Sequence, residues 1–257
     1  MTTGGGSATG AAPDDVTRTA VSSTVAGPGP VGAVWSVVMP VKGGDRAKSR
    51  LRDPRRAALA RSVALDAVAA ALACPAVAQV VVVTADATTA QEHEALGATV
   101  VADPGAGLDG ALLAGAAACH RDRPCALLLA DLPSLRPTDL RRVLDDCLGR
   151  LEQPGPGGDA AAMVTVPDAD GHGTVLLAAA RPAALRPRFG PGSAQAHARL
   201  ASVLDRAPAG VRRDVDTDEH LREAVTLGVG PRTAQVLAAQ PRSTMAPRAA
   251  SFSPKRS

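Results

Sequence analysis

The chain has 257 residues, 46% of them hydrophobic but only 1% aromatic, and a formal charge of +3. That length suits one large or two small domains, and a core of Ala, Val and Leu suits an α/β layer fold. The charge sits in the tail: residues 233–257 carry +4 and residues 1–32 carry −1, so the middle is neutral and the basic balance does not mark a face for nucleic acid, which is not an expected partner.

Residues 1–32 are rich in Gly, Ser, Thr and Pro with no apolar period, which predicts a disordered N-terminal segment. A folded domain is expected over 33–233, followed by a disordered basic tail at 234–257. Within the domain, "AVWSVVMPV" (33–41) reads as a buried strand. "PRRAALARSVALDAVAAALA" (54–73) reads as a helix, with Asp53 as its cap and Pro54 in its first position. Strands follow at 79–86, 97–103 and 124–131, alternating with helices near 87–96, 107–121 and 136–151. A loop spans 152–159, strand-length runs follow at 160–166 and 174–180, and a helix is expected over 193–206. A last strand-to-helix unit covers 210–228. This alternation predicts a doubly wound, mostly parallel sheet, with the 160–180 pair as its antiparallel or less regular element.

No apolar run approaches the roughly 18 to 20 residues of a membrane span, and the N-terminus lacks a hydrophobic signal region. The cysteines, Cys74, Cys119, Cys125 and Cys147, form no CxxC pair and read as buried free thiols of a cytoplasmic protein.

In open α/β sheets ligands bind beyond the carboxyl ends of the strands, so the residues after each strand matter most. After the first comes "KGGDRAKSRL", which holds two of the chain's three lysines against 25 arginines. Gly43 and Gly44 let backbone N–H groups approach a phosphate, and Lys42, Lys48 and Arg50 bring positive charge. Lysine is a compact point charge suited to a polyphosphate oxygen, although a solvated loop at a helix start fits the same residues. After the fourth strand comes Asp131, a carboxylate at the sheet rim that could hold Mg²⁺, cap a helix or pair in a loop. Asp214 and Asp216 alternate by two and face the same way in an extended chain, so with Asp131 they make a candidate magnesium site. Asp216 or Thr217 could instead cap the following helix. Ser193 begins a predicted helix and Thr174 follows a glycine turn, so both offer hydroxyls to a small acidic ligand. His172 and His197 lie in range of that ligand, although a lone histidine is more often structural.

Taken in order, "VVMPVKGGDRAKSRL", "LLLADLPSL", "PDADGHGT", "RFGPGSAQAH", "DVDTDEHL" and "LGVGPRT" resemble the landmarks of the 2-phospho-L-lactate guanylyltransferases. That family includes the actinobacterial phosphoenolpyruvate guanylyltransferases of coenzyme F-420 biosynthesis. The resemblance covers about residues 34–233 and implies the nucleotide-diphospho-sugar transferase fold. It further implies that GTP and a three-carbon phosphorylated acid, phosphoenolpyruvate or 2-phospho-L-lactate, give a guanylylated product and pyrophosphate. By motif, Asp131 and Asp214 would hold Mg²⁺ with Asp216 close by. Thr174, Gly190 and Ser193 would hold the acceptor, and Lys42 and Lys48 would contact the triphosphate, with Gly43 beside them. A homodimer is the candidate assembly. Two positions depart from the family: Ala130 replaces the glycine before Asp131, and Asp109 replaces an asparagine in the turn after the third strand. An ionised aspartate only accepts hydrogen bonds, and could accept from guanine N1–H and N2–H₂. The competing readings are a nucleotidyltransferase for a molybdopterin or sugar phosphate, and a nucleotide-sensing module without turnover.

Overall fold

A computed structural model of the chain describes residues 34–43, 51–152 and 162–239. The segments expected to be disordered at 1–32 and beyond 239, most of the 152–159 loop, and Gly44, Lys48 and Arg50 lie outside the described residues.

Among the described residues seven strands form one sheet: β1 (Trp35–Pro40), β2 (Val77–Thr84), β3 (Thr99–Ala102), β4 (Cys125–Leu128), β5 (Val164–Pro167), β6 (Thr174–Ala179) and β7 (Ser202–Val203). Their order is β3-β2-β1-β4-β6-β5-β7. β1, β2, β3 and β4 run parallel, and β6 runs antiparallel to both β4 and β5. The antiparallel element therefore falls within the 160–180 pair, where the sequence pattern put it.

Valine-rich strands suit a sheet buried on both faces. Alternate residues serve opposite layers. Val37, Met39, Val80, Val82, Ala126 and Leu128 face helices α1 (Arg56–Leu72) and α4 (Pro137–Glu152). Val38, Val81, Val83 and Leu127 face α3 (Gly107–Ala117). Helix α2 (Ala87–Ala95) starts at Asp86, whose carboxylate accepts from Thr89 N–H at 2.7 Å. A third apolar cluster, with Leu51, Leu59, Val215, Leu221 and Ala224, joins α1 to α7 (Asp218–Leu227) and α8 (Pro231–Ala238).

Four local expectations are corrected. Helix α1 starts at Arg56, not at Pro54, and Arg55 is its N-cap. Asp53 lies two residues ahead of that cap, and its carboxylate accepts from both the Arg55 backbone N–H and the Arg55 guanidinium, each at 2.8 Å, so it still satisfies an N–H at the helix entry. The helix expected over 193–206 ends early: α5 covers Ser193–Ala198, and Ser202–Val203 pairs with β5. The strand expected after 210 is a short helix, α6 (Ala209–Arg212), followed by an extended segment outside the sheet. Gly210 permits that turn, because a Cβ there would come within 2.5 Å of the Ser134 carbonyl oxygen. Finally, ordered structure runs past 233, since α8 reaches Ala238.

Helix α8 is short and gains its order from α1. The buried Asp66 carboxylate accepts from Thr233 N–H and Thr233 Oγ1, both at 2.8 Å, and from Arg232 N–H at 3.2 Å. At the other end, the Arg55 guanidinium donates to the carbonyls of Val236, Leu237 and Ala239 at 2.9–3.0 Å. An anion at the helix start and a cation at its end match the orphan N–H and C=O groups there.

Candidate active site

The sheet order reverses between β1 and β4, since β2 and β3 lie on one side of β1 and β4 on the other. Crevices form at such switch points beyond the strand ends. A cleft of about 280 Å³ lies there, lined by Pro40 at the end of β1, by Val41 and Lys42 after it, and by Leu129, Ala130 and Asp131 after β4. Ala60 and Ala64 of α1, Leu108 of α3 and Asp216 complete it. The small side chains of α1 leave the room. A neighbouring cavity of about 350 Å³ shares Val41, Lys42, Ala60 and Ala64, so Lys42 borders both spaces.

The structure thus brings Lys42, Asp131 and Asp216 together. Asp216 arrives on the extended segment after α6, where Val215 N–H donates to the Asp131 carbonyl at 3.1 Å. Val215 is buried and its neighbours Asp214 and Asp216 are partly exposed, so the alternation expected of a strand persists without one. Thr217 caps α7 by accepting from His220 N–H at 3.2 Å, which leaves Asp216 to the cleft. The segment is braced from below. Arg212 donates to the carbonyls of Pro167 and Asp168, and Arg213 pairs with Asp170 and Glu223, both at 3.0 Å.

The acceptor candidates form a second locus beside the first. Leu129 N–H donates to the Val175 carbonyl at 3.0 Å, which sets the start of β6 next to the cleft wall. Thr174 is buried there, and its Oγ1 lies 2.8 Å from His197 Nδ1. His197 Nε2 accepts from Arg188 N–H at 2.8 Å, so the neutral ring carries its proton on Nδ1 and donates to Thr174. That arrangement frees the threonine hydroxyl proton to point elsewhere. Ser193 is buried at the first position of α5. Gly190 and Gly192 before it take φ of +128° and +74°, a region that side chains rarely adopt. His172 is exposed at its side chain and serves through its carbonyl, which accepts from Ala194 N–H at 3.1 Å.

Two residues enter in ways the sequence did not indicate. Asp168 pins the glycine turn that delivers Thr174, accepting from His172 N–H at 3.0 Å and Gly173 N–H at 2.6 Å. An aspartate ahead of a Gly-rich turn is the signal that could have found it. Asp109 accepts from Phe189 N–H at 2.9 Å through Oδ1, tying α3, and with it Leu108 of the cleft, to the Phe189–Gly192 loop. Gly43 presses on the Asp86 side chain, where a Cβ would come within 2.3 Å of Asp86 Cβ. A glycine there has a packing reason whatever else it does.

Burial holds the His197 pKa below its ordinary value, with Asp109 opposing and Arg188 assisting. Below a pH of about 6.5 the unfolded chain takes up a proton that the folded ring refuses, so stability falls as pH falls through that value. The loss continues down to the folded pKa. Urea titrations at several pH values should show a slope of up to about 1.4 kcal/mol per pH unit, absent from His197→Gln. Identical pH profiles for the two proteins would mean that folding leaves the His197 pKa where the unfolded chain has it.

Asp131 and Asp216 supply hard oxygen donors. No group of three His, Cys, Asp or Glu side chains that could hold a metal occurs among the described residues. Magnesium commonly takes one or two carboxylates and completes its octahedron with water and substrate phosphates. The donor set therefore fits Mg²⁺ bound together with a phosphate ligand. No helix among the described residues is long and apolar enough to cross a membrane.

A model of the MobA-like NTP transferase domain matches residues 49–210. The phosphoenolpyruvate guanylyltransferase of Streptomyces coelicolor is 49% identical over 218 residues, covering 79% of this chain and 96% of its own. That of Thermomonospora curvata is 46% identical over 217 residues, covering 80% of this chain and 90% of its own. A cytidylyltransferase structure from Leptospira borgpetersenii superposes with a TM-score of 0.49 at 13% identity, over 80% of this chain and 92% of that one. With near-complete coverage of such relatives, the chain belongs to the phosphoenolpyruvate guanylyltransferases, a family of nucleotidyltransferases with the MobA-like domain.

Proposed function

We propose that the protein joins GMP from GTP to phosphoenolpyruvate and releases pyrophosphate, in the cytoplasm, as a step of coenzyme F-420 biosynthesis. The observation that carries this reading is the meeting of Lys42, Asp131 and Asp216 in one switch-point cleft, with Thr174 beside its wall. The names of the relatives favour phosphoenolpyruvate over 2-phospho-L-lactate.

In this reading a phosphate oxygen of the acceptor attacks the α-phosphorus of GTP in line. The new P–O bond forms as the bond to the bridging oxygen breaks, and pyrophosphate leaves with that electron pair. The attacking phosphate is already anionic, so no side chain need remove a proton. Lys42 and Lys48 offset charge on the triphosphate. Asp131 and Asp216, with Asp214 alongside, would hold Mg²⁺, which supplies charge neutralisation at the phosphate oxygens. Thr174, Gly190 and Ser193 orient the three-carbon acid. Asp109 has Oδ1 engaged by Phe189, so a contact to guanine falls to Oδ2.

Pyrophosphate release and product mass, measured for GTP, ATP and CTP against phosphoenolpyruvate, 2-phospho-L-lactate and a sugar phosphate, test the assignment. Turnover confined to a sugar phosphate would replace it. In the same assay Lys48→Ala should lower kcat/KM for GTP roughly a hundredfold, about 2.7 kcal/mol. Lys48→Arg should recover part of that, because a planar guanidinium presents a different geometry from a compact ammonium. Equal rates for wild type and Lys48→Arg would remove the lysine from the triphosphate.

A further inference from the structure

Two of the four cysteines lie together and away from the cleft. Cys119 follows the end of α3 and Cys125 opens β4, and their sulfurs are 3.8 Å apart, with the Cys125 thiol donating to Cys119 Sγ. Cys119 is half-buried, whereas Cys125 is fully buried. Of the residues between them, His120 to Arg123 are exposed and form a turn closed by Arg123 N–H on the His120 carbonyl at 3.2 Å, and Pro124 is half-buried. Cys74 and Cys147 are buried free thiols.

We propose that Cys119 and Cys125 form a reversible disulfide when the protein meets a hydroperoxide, with Cys119 as the attacking thiol and Cys125 as the resolving one. The sulfurs must close from van der Waals contact to a bond of about 2.05 Å. The exposed turn carrying Cys119 can absorb that movement while β4 stays in the sheet. The hydrogen bond from Cys125 lowers the Cys119 pKa, burial opposes it, and Ser36 adds to the lowering. The hydrogen bond to Cys119 and burial both push the Cys125 thiol up. The two thiols thus differ in the sense their roles require.

The chemistry balances in two steps. The Cys119 thiolate attacks the peroxide oxygen, the O–O bond breaks, and an alkoxide or hydroxide leaves and takes a proton, giving the sulfenic acid. The Cys125 sulfur then displaces hydroxide from the Cys119 sulfur, and its thiol proton leaves with that hydroxide as water. The dithiol loses two electrons and the peroxide gains them. A small thiol returns the pair to its reduced state by exchange. The bond halts oxidation of Cys119 at a stage that thiols can reverse, since sulfinic and sulfonic acids form only from an unresolved sulfenic acid. It forms at the amino end of β4, whereas Asp131 lies beyond the carboxyl end, so turnover should survive it.

The test uses the full chain treated with hydrogen peroxide. Titratable thiols in denaturant should fall from four to two and return to four with dithiothreitol. Trypsin cleavage after Arg121 parts the two cysteines, so two peptides should stay joined until reduction. Cys119→Ser should lose that linkage. Cys125→Ser should instead carry Cys119 to an acid that dithiothreitol does not restore. Four thiols persisting under peroxide that oxidises a free small thiol, an acid on Cys119 in the wild type, or a linkage through Cys74 would each overturn the proposal. The wild-type thiol count and peptide map decide it even if a serine variant fails to fold.

Discussion

Asp131→Asn should lower turnover by about three orders of magnitude, roughly 4 kcal/mol of transition-state stabilisation, while leaving the fold nearly as stable. The side chain is half-buried at the rim of the sheet, in the cleft shared with Lys42 and Asp216. Asparagine keeps its shape and leaves intact the backbone bond from Val215 N–H to the residue 131 carbonyl. What it removes is the negative charge that a divalent cation requires of its protein ligands. In a cleft with apolar walls that charge is not replaced by water at equal strength. The measurement is kcat across a magnesium titration, with the melting temperature recorded in parallel. A variant that turns over normally at the same magnesium concentration would take Asp131 out of the site. A variant that simply melts would assign it a structural role.

The parts of the site that could be read in the sequence are those whose chemistry is local. An apolar run ending in a carboxylate puts Asp131 at a strand's rim by strand geometry alone, and two lysines in an arginine-rich chain stand out by count. The sheet was legible for the same reason, because valine-rich runs such as Val77–Thr84 fit little else. What escaped depends on distant partners. His197 matters because its two ring nitrogens meet Thr174 and Arg188 N–H, and no sequence pattern states that pairing. Asp109 looked like a base-reading residue by resemblance, and the structure adds its bond to Phe189, a partner 80 positions away. Strand β7 is two residues long and exists through its pairing with β5. The segment holding Asp214 and Asp216 reads as a strand by alternation, yet it lies outside the sheet and is held by Asp131, Arg212 and Arg213. Helix α8 escaped because its capping groups are on α1, more than 160 residues earlier.

That last dependence predicts the largest effect on stability. Asp66→Ala should destabilise the protein by about 3–5 kcal/mol. The Asp66 side chain is only 3% exposed, and the backbone and hydroxyl donors of Thr233, itself fully buried, would lose their shared acceptor. A buried donor left unsatisfied costs about 1–3 kcal/mol, and here two are stranded. The contact to the Arg232 guanidinium at 3.4 Å is partly exposed and adds little. For a chain of this size, each kcal/mol is worth about 2–4 °C, so the melting temperature should drop by roughly 10 °C. Asp66→Asn should recover only part of the loss, because its amide group turns a donor toward donors. Ending the chain after Thr233 should be at least as damaging as Asp66→Ala, since it removes most of α8 and the carbonyls that Arg55 holds. Ending it after Ala239 should be nearly neutral. Below its melting temperature Asp66→Ala should still turn over, because Asp66 lines no part of the cleft, although α1 contributes Ala60 and Ala64 to it. Equal melting temperatures for the full chain and the chain ending at Thr233 would show that α8 adds nothing to the fold, and the two clamps on it would lose their meaning.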